Sequence, residues 1–440
     1  MSPMEKVERC MTQLIEQEER MAGASVLVRH HGREALYAQA CWDDREKRLP
    51  IRRDHIFHLY SQTKPVTAAA AMLLVERGVI DLMEPVATYL PGFCNQRVAE
   101  GGGFVPAKRP AVLMDLLGMS AGLSYGGEDV AGRATEQLMA EVDRRRKAGD
   151  PMTTVEIANR IGELPLAFHP GERMRYSLCA DVLGAVIEVA DGRPFSRFLR
   201  EELFEPLGMV DTGFFVPEDK LSRLCACYER TAEGLRPCSP VNAGIFDTTE
   251  EPAFASGGGG LVSTIDDYMA FAGMLLDMGQ WQGKRILSPQ SVRFLTSPQH
   301  PYEEKFCPWH GYEGYAYGKL MRQAVVPGEA PMFIRPGEYG WDGWLGVYFA
   351  NFPAEEMTIL MMMQIKDTGT SCIQRRIRNV LLALESQGEL YQPGGCNDGL
   401  ERPHPGQRNS RTASGIPDDP GGEGQPDDLL LQRPVPLRHS

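Results

Sequence analysis

A chain of 440 residues, 42 % apolar and 24 % charged, is long enough for a substantial core in one large domain or two intermediate ones. A formal net charge of −13 excludes a nucleic-acid backbone or an anionic membrane as the main partner. The densest basic run, Arg144 to Lys147, fits a solvated helix face.

The N-terminal stretch MSPMEKVERCMTQLIEQEER has no apolar signal core, and Val7, Met11, Leu14 and Ile15 fall at helical spacing. No apolar run approaches the ~20 residues that cross a bilayer. Next, SVLVRHHGREALYAQA predicts a β-hairpin turning at His31-Gly32. A helix follows over HLYSQTKPVTAAAAMLLVERG, with Ser61 in position to cap its start and Gly78 to end it. Residues 81–250 are expected as mixed helix and loop with little strand. PMTTVEIANRIGEL and ADVLGAVIEVADG are two clear helices within them. ASGGGGLVSTIDDYMAFAGMLLDMG is expected as a flexible glycine loop leading into a helix capped by Ser263. Strand character then returns: YGWDGWLGVYFANF and MTILMMMQI flank Pro353-Ala354-Glu355 as an antiparallel hairpin. A last helix carries Ile373, Ile377, Val380, Leu381 and Leu384. From Pro393 onward, 8 Pro, 8 Gly and no aromatic residue predict a disordered tail over 393–440.

The resulting fold class is α/β (α+β): one antiparallel sheet built from both chain ends and flanked by helices. Segment 81–250 forms a mostly helical second lobe within a domain spanning 1–392. A cleft between the lobes is the expected place for a site. The ten cysteines are scattered, with only Cys225 and Cys227 close together. None shows a C-x-x-C or a metal-ligand spacing with histidine. Reduced thiols in a cytoplasmic protein are expected, with no metal and no cofactor.

Chemistry enters at Ser61 and Lys64. The bland reading is a capping serine and a solvated lysine, since Ser-x-x-Lys occurs by chance roughly once in a chain this long. The reactive reading makes Ser61 a nucleophile and Lys64 its base. A serine hydroxyl needs a base, and lysine serves only when neutral, so burial must bring it down from about 10.4. A spacing of three puts both on one helix face, and the helix N-terminus offers N–H groups to an oxyanion. Tyr176, in PGERMRYSLCADVLG, follows a Pro170-Gly171 turn and supplies a phenol for proton transfer.

Six segments occur in an order that resembles the serine β-lactamase and penicillin-binding-protein superfamily, in its class C-like esterase branch. They are IFHLYSQTKPVTAAAAMLLVERGVIDLMEPVATYLPGF, AVLMDLLGMSAGLSY, PGERMRYSLCADVLGAVIEVADGRPF, LFEPLGMVDTGF, GGGGLVSTIDDYMAFAGMLL and GWDGWLGVYF. The resemblance spans about Gly23 to Ser386. It implies a nucleophile at Ser61, a base at Lys64 and the second-motif tyrosine at Tyr176. Trp341-Asp342-Gly343 then stands where β-lactamases have Lys-Thr-Gly, and the backbone N–H groups of Ser61 and Trp344 form the oxyanion hole. Leu178 replaces the asparagine of the lactamase Tyr-x-Asn, and Trp341 replaces the third-motif lysine. Both departures weaken β-lactam recognition, while an aromatic at 341 suits an apolar acyl or alkyl group. The resemblance therefore implies a hydrolase of small-molecule esters or amides, acting through an acyl-enzyme. Acyl transfer, D-amino-acid peptide cleavage, weak lactamase activity and an idle binding module are the alternatives.

One rival motif stands apart. Gly118-Met119-Ser120-Ala121-Gly122 fits the G-x-S-x-G elbow of α/β-hydrolases, with His169, His300 and His310 downstream. That motif requires a preceding strand and a following helix, and LSYGGEDVAG does not look helical.

Overall fold

Helix α1 (Pro3–Thr12) begins at a capping box in which Ser2 accepts from the Glu5 amide, and it buries Val7 and Met11. Strand β1 (Gly23–His30) and strand β2 (Arg33–Asp44) pair antiparallel about His31 and Gly32. Both turn residues have positive φ (48° and 75°), the backbone that matches the right-handed twist of the flanking strands. A short β3 (Leu49–Pro50) extends β2 at the edge. The computed structural model describes residues 1–240, 248–300, 311–369 and 371–390, all within one unit, Met1–Gln392. The expected tail, 393–440, lies outside the described residues.

Helix α2 spans Thr63–Glu76, helix α3 Cys179–Asp191 and helix α4 Ile265–Leu276. The second group of strands is β4 (Tyr315–Tyr317), β5 (Arg322–Ala324), β6 (Tyr339–Asp342), β7 (Tyr348–Phe352) and β8 (Met357–Met362). Helix α5 (Cys372–Ser386) ends the described chain. The eight strands form one sheet in the order β4-β5-β6-β7-β8-β1-β2-β3. Its antiparallel β8–β1 seam, with Val26 opposite Met361 and Val28 opposite Ile359, joins the two chain ends.

Side-chain alternation assigns the two faces. Val26, Val28, Ile359 and Met361 pack with Val7 and Met11 of α1 and Ile377 and Leu381 of α5. Leu27, Leu360 and Met362 share the other core with α2, α3 and α4. Every residue from Thr63 to Leu74 is buried, so α2 is apolar all round, as a helix inside a core must be.

Five local expectations are corrected. Ser61 does not cap α2: it lies in a 3₁₀ turn, Tyr60–Gln62, and its hydroxyl accepts from Lys64 instead. Thr264, not Ser263, caps α4, because Ser263 is paired with Phe57 in a two-residue strand. YGWDGWLGVYFANF is two strands, not one. Gly346 (φ 93°) lets the chain turn back between them, closed by the Gly343 amide on the Val347 carbonyl at 2.8 Å. The stretch 81–250 also contains two hairpins, Arg97–Glu100 with Gly103–Pro106 and Tyr228–Thr231 with Gly234–Pro237. The glycine run 257–260 is buried throughout rather than loose at the surface.

Candidate active site

The turn ahead of α2 is anchored on both sides. The Leu59 amide donates to the Leu261 carbonyl at 2.9 Å, and the Tyr268 hydroxyl donates to the Gln62 carbonyl at 2.8 Å. Between them Tyr60 adopts a left-handed backbone (φ 46°), an unfavourable state for a bulky residue that the surrounding bonds enforce. The outcome is a half-buried Ser61 held at the head of a helix buried from Thr63 to Leu74.

Lys64 lies one turn on and is 0 % exposed. Its ammonium donates to Ser61 Oγ at 3.1 Å, to the Tyr125 hydroxyl at 2.9 Å and to the Gly258 carbonyl at 2.6 Å. None of these three acceptors is a carboxylate. Burial lowers the Lys64 pKa to about 7, with the negative charge of Asp181 partly opposing the shift. Tyr176 sits 4.6 Å below the lysine nitrogen by its ring and accepts from the Trp341 indole N–H at 3.3 Å. Burial raises the Tyr176 phenol, while hydrogen bonds from Ser61 and Trp341 draw it back.

Trp341 occupies β6 and is 2 % exposed, wedged among Tyr176, Tyr312 and Tyr317 at ring separations of 5.8, 6.1 and 5.3 Å. Gly343 follows at a point where a Cβ would lie 2.2 Å from the Leu59 carbonyl oxygen. Only glycine lets β6 approach the serine turn so closely. That approach, with the Tyr60 and Trp344 rings 5.1 Å apart, sets residue 344 beside the Ser61 turn. Asp342 and Leu178 are placed differently from a substrate contact. Asp342 accepts from Tyr312 and Arg322 in the core, and Leu178 is 1 % exposed within the cluster beneath α3.

Three contributors escaped the sequence. Tyr125 is the last residue of GLSY, brought to Lys64 by a turn at Gly122 (φ 80°). Gly258 comes from the glycine run, and Asp181 lies on the buried side of α3. The one visible signal was Asp181, a carboxylate inside the apolar run CADVLGAVIEV.

Ser120 is elsewhere. It follows a helix, Leu113–Leu117, rather than a strand, and its hydroxyl donates to Asp115 at 3.1 Å. His169 accepts from the Lys108 amide and His300 bonds the Gly118 carbonyl, so both rings serve the backbone; His310 lies outside the described residues. The elbow reading fails on the preceding element, which is a helix.

A buried lysine bonded to a serine at the head of a core helix, beside strand β6 of an antiparallel sheet, defines a serine-hydrolase arrangement. The chain belongs to the Beta-lactamase family, whose description matches residues 7–383. Protein Rv1367c of Mycobacterium tuberculosis is 31 % identical over 358 residues, covering 78 % of this chain and 86 % of that one. Esterase EstB of Burkholderia gladioli is 35 % identical over 269 residues, covering 57 % and 65 %. Among solved structures, EstCE1, described as a hydrolase with promiscuous acyltransferase activity, superposes with a TM-score of 0.73 at 25 % identity, covering 86 % of this chain and 98 % of that one. Simvastatin synthase (LovD6 mutant) of Aspergillus terreus shares the fold at a TM-score of 0.69 and 21 % identity, covering 88 % and 98 %. Among the described residues no helix is long and apolar enough to cross a membrane.

Proposed function

We propose that Ser61 is the nucleophile, Lys64 its general base and Tyr176 the proton relay of a serine hydrolase that cleaves small-molecule carboxylic esters. The protein is a member of a family with esterase relatives, and it acts on esters through an acyl-enzyme. The observation that carries the assignment is the 3.1 Å Lys64–Ser61 contact made by a fully buried lysine whose pKa lies at about 7. A lysine in this state is neutral in a useful fraction of molecules near neutrality, the condition for a base.

In acylation, neutral Lys64 takes the Ser61 proton as Oγ attacks the ester carbonyl. Charge builds on the carbonyl oxygen, which the backbone N–H groups of Ser61 and Trp344 receive as the oxyanion hole. Tyr176, hydrogen-bonded to Trp341 and beside Lys64, passes a proton to the departing alkoxide. Water then enters by the reverse sequence and releases the acid. Trp341 serves this reading by steering the Tyr176 hydroxyl, with Gly343 setting the strand against the serine turn. Leu178 and Asp342 support the site from the core.

The test is covalent. A fluorophosphonate probe should label Ser61, and Ser61→Ala should abolish both labelling and turnover of nitrophenyl esters of graded chain length. Labelling of another serine overturns the assignment. A second reading, acyl transfer to an alcohol, is supported by EstCE1's described activity and by the aromatic lining of Tyr176, Trp341 and Tyr312. Adding a simple alcohol to the nitrophenyl assay separates the two, since transfer raises ester product at the expense of free acid. We keep residues 1–392 as the hydrolase domain, with 81–250 as its helical lobe. The free thiols at eight described cysteines support a cytoplasmic location.

A further inference from the structure

Helix α3 buries a carboxylate that no step above uses. Asp181 lies in the first turn of α3 and is 2 % exposed. Its Oδ1 accepts twice, from Ser256 Oγ at 2.5 Å and from the Gly258 amide at 3.1 Å. Its Oδ2 is buried with no hydrogen-bond partner. A buried, half-satisfied carboxylate is expensive, and such a group needs a compensating charge or another function.

The charge is within one residue. Gly258 gives its N–H to Asp181 and its carbonyl to the Lys64 ammonium at 2.6 Å, so a single residue couples anion to cation. The neighbouring Gly257 carbonyl is fixed by Thr67 Oγ1 at 2.7 Å, one turn beyond Lys64 on α2. A Cβ built on Gly258 would lie 2.4 Å from Asp181 Oδ2 and 2.9 Å from the Tyr125 hydroxyl, so these two atoms border one small space behind the lysine. Tyr125 is itself an acceptor for Lys64.

We propose that Asp181 is a positioning residue for the reaction: through Gly258 it holds Lys64 on Ser61, and its carboxylate is the counter-charge of the ammonium that Lys64 becomes on taking the serine proton. The inference rests on the reading of Lys64 as base. In the step concerned, the Ser61 O–H bond breaks and an N–H bond forms on Lys64. The serine electron pair bonds the ester carbon, and the carbonyl π pair moves onto oxygen. Asp181 accepts no proton; it stabilises the cation formed. Around the pair stand Tyr125, Tyr176, Cys179, Tyr317 and Asp342, contributed by loop, helix and sheet, with Arg322 beyond them on Asp342. Burial pushes the Asp181 carboxyl up, while Lys64 pulls it back.

The experiment compares kcat/KM against pH for the full chain and two variants. Asp181→Asn keeps an acceptor for Ser256 and Gly258 but removes the charge. Ser256→Ala removes one grip and keeps the charge. Activity of the wild type rises with pH as Lys64 loses its proton, near its value of about 7. Without the anion the ammonium is less stable, so the rising limb in Asp181→Asn moves to lower pH by about one unit or more, with a lower plateau. In Ser256→Ala the limb stays in place. An unmoved limb in a folded Asp181→Asn overturns the proposal, as does equal movement in both variants. If Asp181→Asn does not fold, the wild type decides. The Lys64 ¹³Cε resonance should report two titrations, its own and that of Asp181, and a single step overturns the proposal. A Ser61→Ala variant that stays active, by contrast, defeats the catalytic assignment itself and leaves the pH comparison as a separate result.

Discussion

Two of the basic side chains that the protein buries, Arg378 and Lys64, are treated in opposite ways. Arg378 and Glu338 are both 0 % exposed, and the guanidinium donates from both terminal nitrogens to the carboxylate, at 2.7 and 2.5 Å. The Tyr348 hydroxyl and the Phe333 carbonyl accept the remaining N–H groups. The matched charges hold the arginine well above its already high value. Lys64 is equally buried, yet receives a serine, a phenol and a peptide carbonyl, with its carboxylate one residue removed. A cation clamped by a carboxylate keeps its proton at any working pH. A cation offered neutral acceptors keeps a proton it can give up. The first arrangement fixes β6 and α5 to each other; the second is fit for a base.

Replacing each cation's support tests that contrast, and Lys64→Met carries the largest expected effect. Ester hydrolysis should fall about 10²–10⁴-fold, the usual contribution of a general base. The melting temperature should fall as well, because the buried Asp181 carboxylate loses its counter-charge. The stability profile gives the sign. Folded Lys64 binds its proton more weakly than the unfolded side chain at 10.5. Between about pH 7 and 10.5 the unfolded state therefore holds more protons, and wild-type stability should climb with pH across that window. Chemical denaturation of Lys64→Met should lack the climb. A Met variant that keeps wild-type turnover would place the base elsewhere.

Glu338→Gln probes the other region and should cost stability alone. Removing the charge strands Arg378 in the core, at about 3–5 kcal/mol of stability. Turnover by the fraction that remains folded should be unchanged, since Glu338 touches no residue of the serine site. A denaturation midpoint equal to wild type would show that the clamp is not the constraint described.

Much of this division was legible in sequence, and for physical reasons. Hydrophobic pattern exposed β1, β2, β6, β7 and β8 with α1 and α5, and the apolar run exposed α2, whereas β3, β4 and β5, of two or three residues each, were too short to read. The proposed Ser61 and Lys64 were read from their local spacing, and Tyr176 from its motif. Tyr125, Gly258 and Asp181 were not, because their relation to Lys64 is set by the packing of α3 and the glycine run, 61 to 194 residues away along the chain. The Arg378–Glu338 pair was missed for the same reason, at a separation of 40. Asp342 shows the limit of motif transfer: its position was found, but its bonds to Tyr312 and Arg322 depend on β4 and β5 folding beside it.

A smaller effect belongs to Trp341, which links the sheet to the relay. Trp341→Phe keeps the ring among its tyrosine neighbours but deletes the N–H that reaches Tyr176 at 3.3 Å. A neutral hydrogen bond of this kind is worth about 1 kcal/mol, so kcat should drop several-fold with KM for short esters little changed. Trp341→Lys should lower ester turnover further, since an ammonium must be desolvated among three aromatic rings. It should not bring efficient cephalosporin turnover, because Leu178 still supplies no amide. Efficient cephalosporin turnover by the unmodified protein would overturn that distinction.

The smallest effect is expected at Ser120, and its smallness is informative. Ser120 stands in a motif that in another fold marks a nucleophile, so sequence pattern alone would rank it with Ser61. The two hydroxyls differ in what they bond. Ser61 accepts from a titratable lysine, whereas Ser120 donates to Asp115, a carboxylate already engaged by Arg109 at 2.6 and 2.8 Å and by the Val112 amide at 2.9 Å. A carboxylate cannot be spared from that ion pair to act as a base, and neither His169 nor His300 is turned to the serine. Ser120→Ala removes one of several donors to Asp115 and leaves no charge unpaired. The cost should be about 1 kcal/mol of stability, read as a small shift in denaturation midpoint, with ester turnover within twofold of wild type. The backbone bonds that shape this turn, from the Ser120 amide to the Asp115 carbonyl and from the Gly171 amide to the Ser120 carbonyl, persist in the variant. A loss of turnover at Ser120 comparable to that of Ser61→Ala would mean that the site has been placed in the wrong region of the molecule.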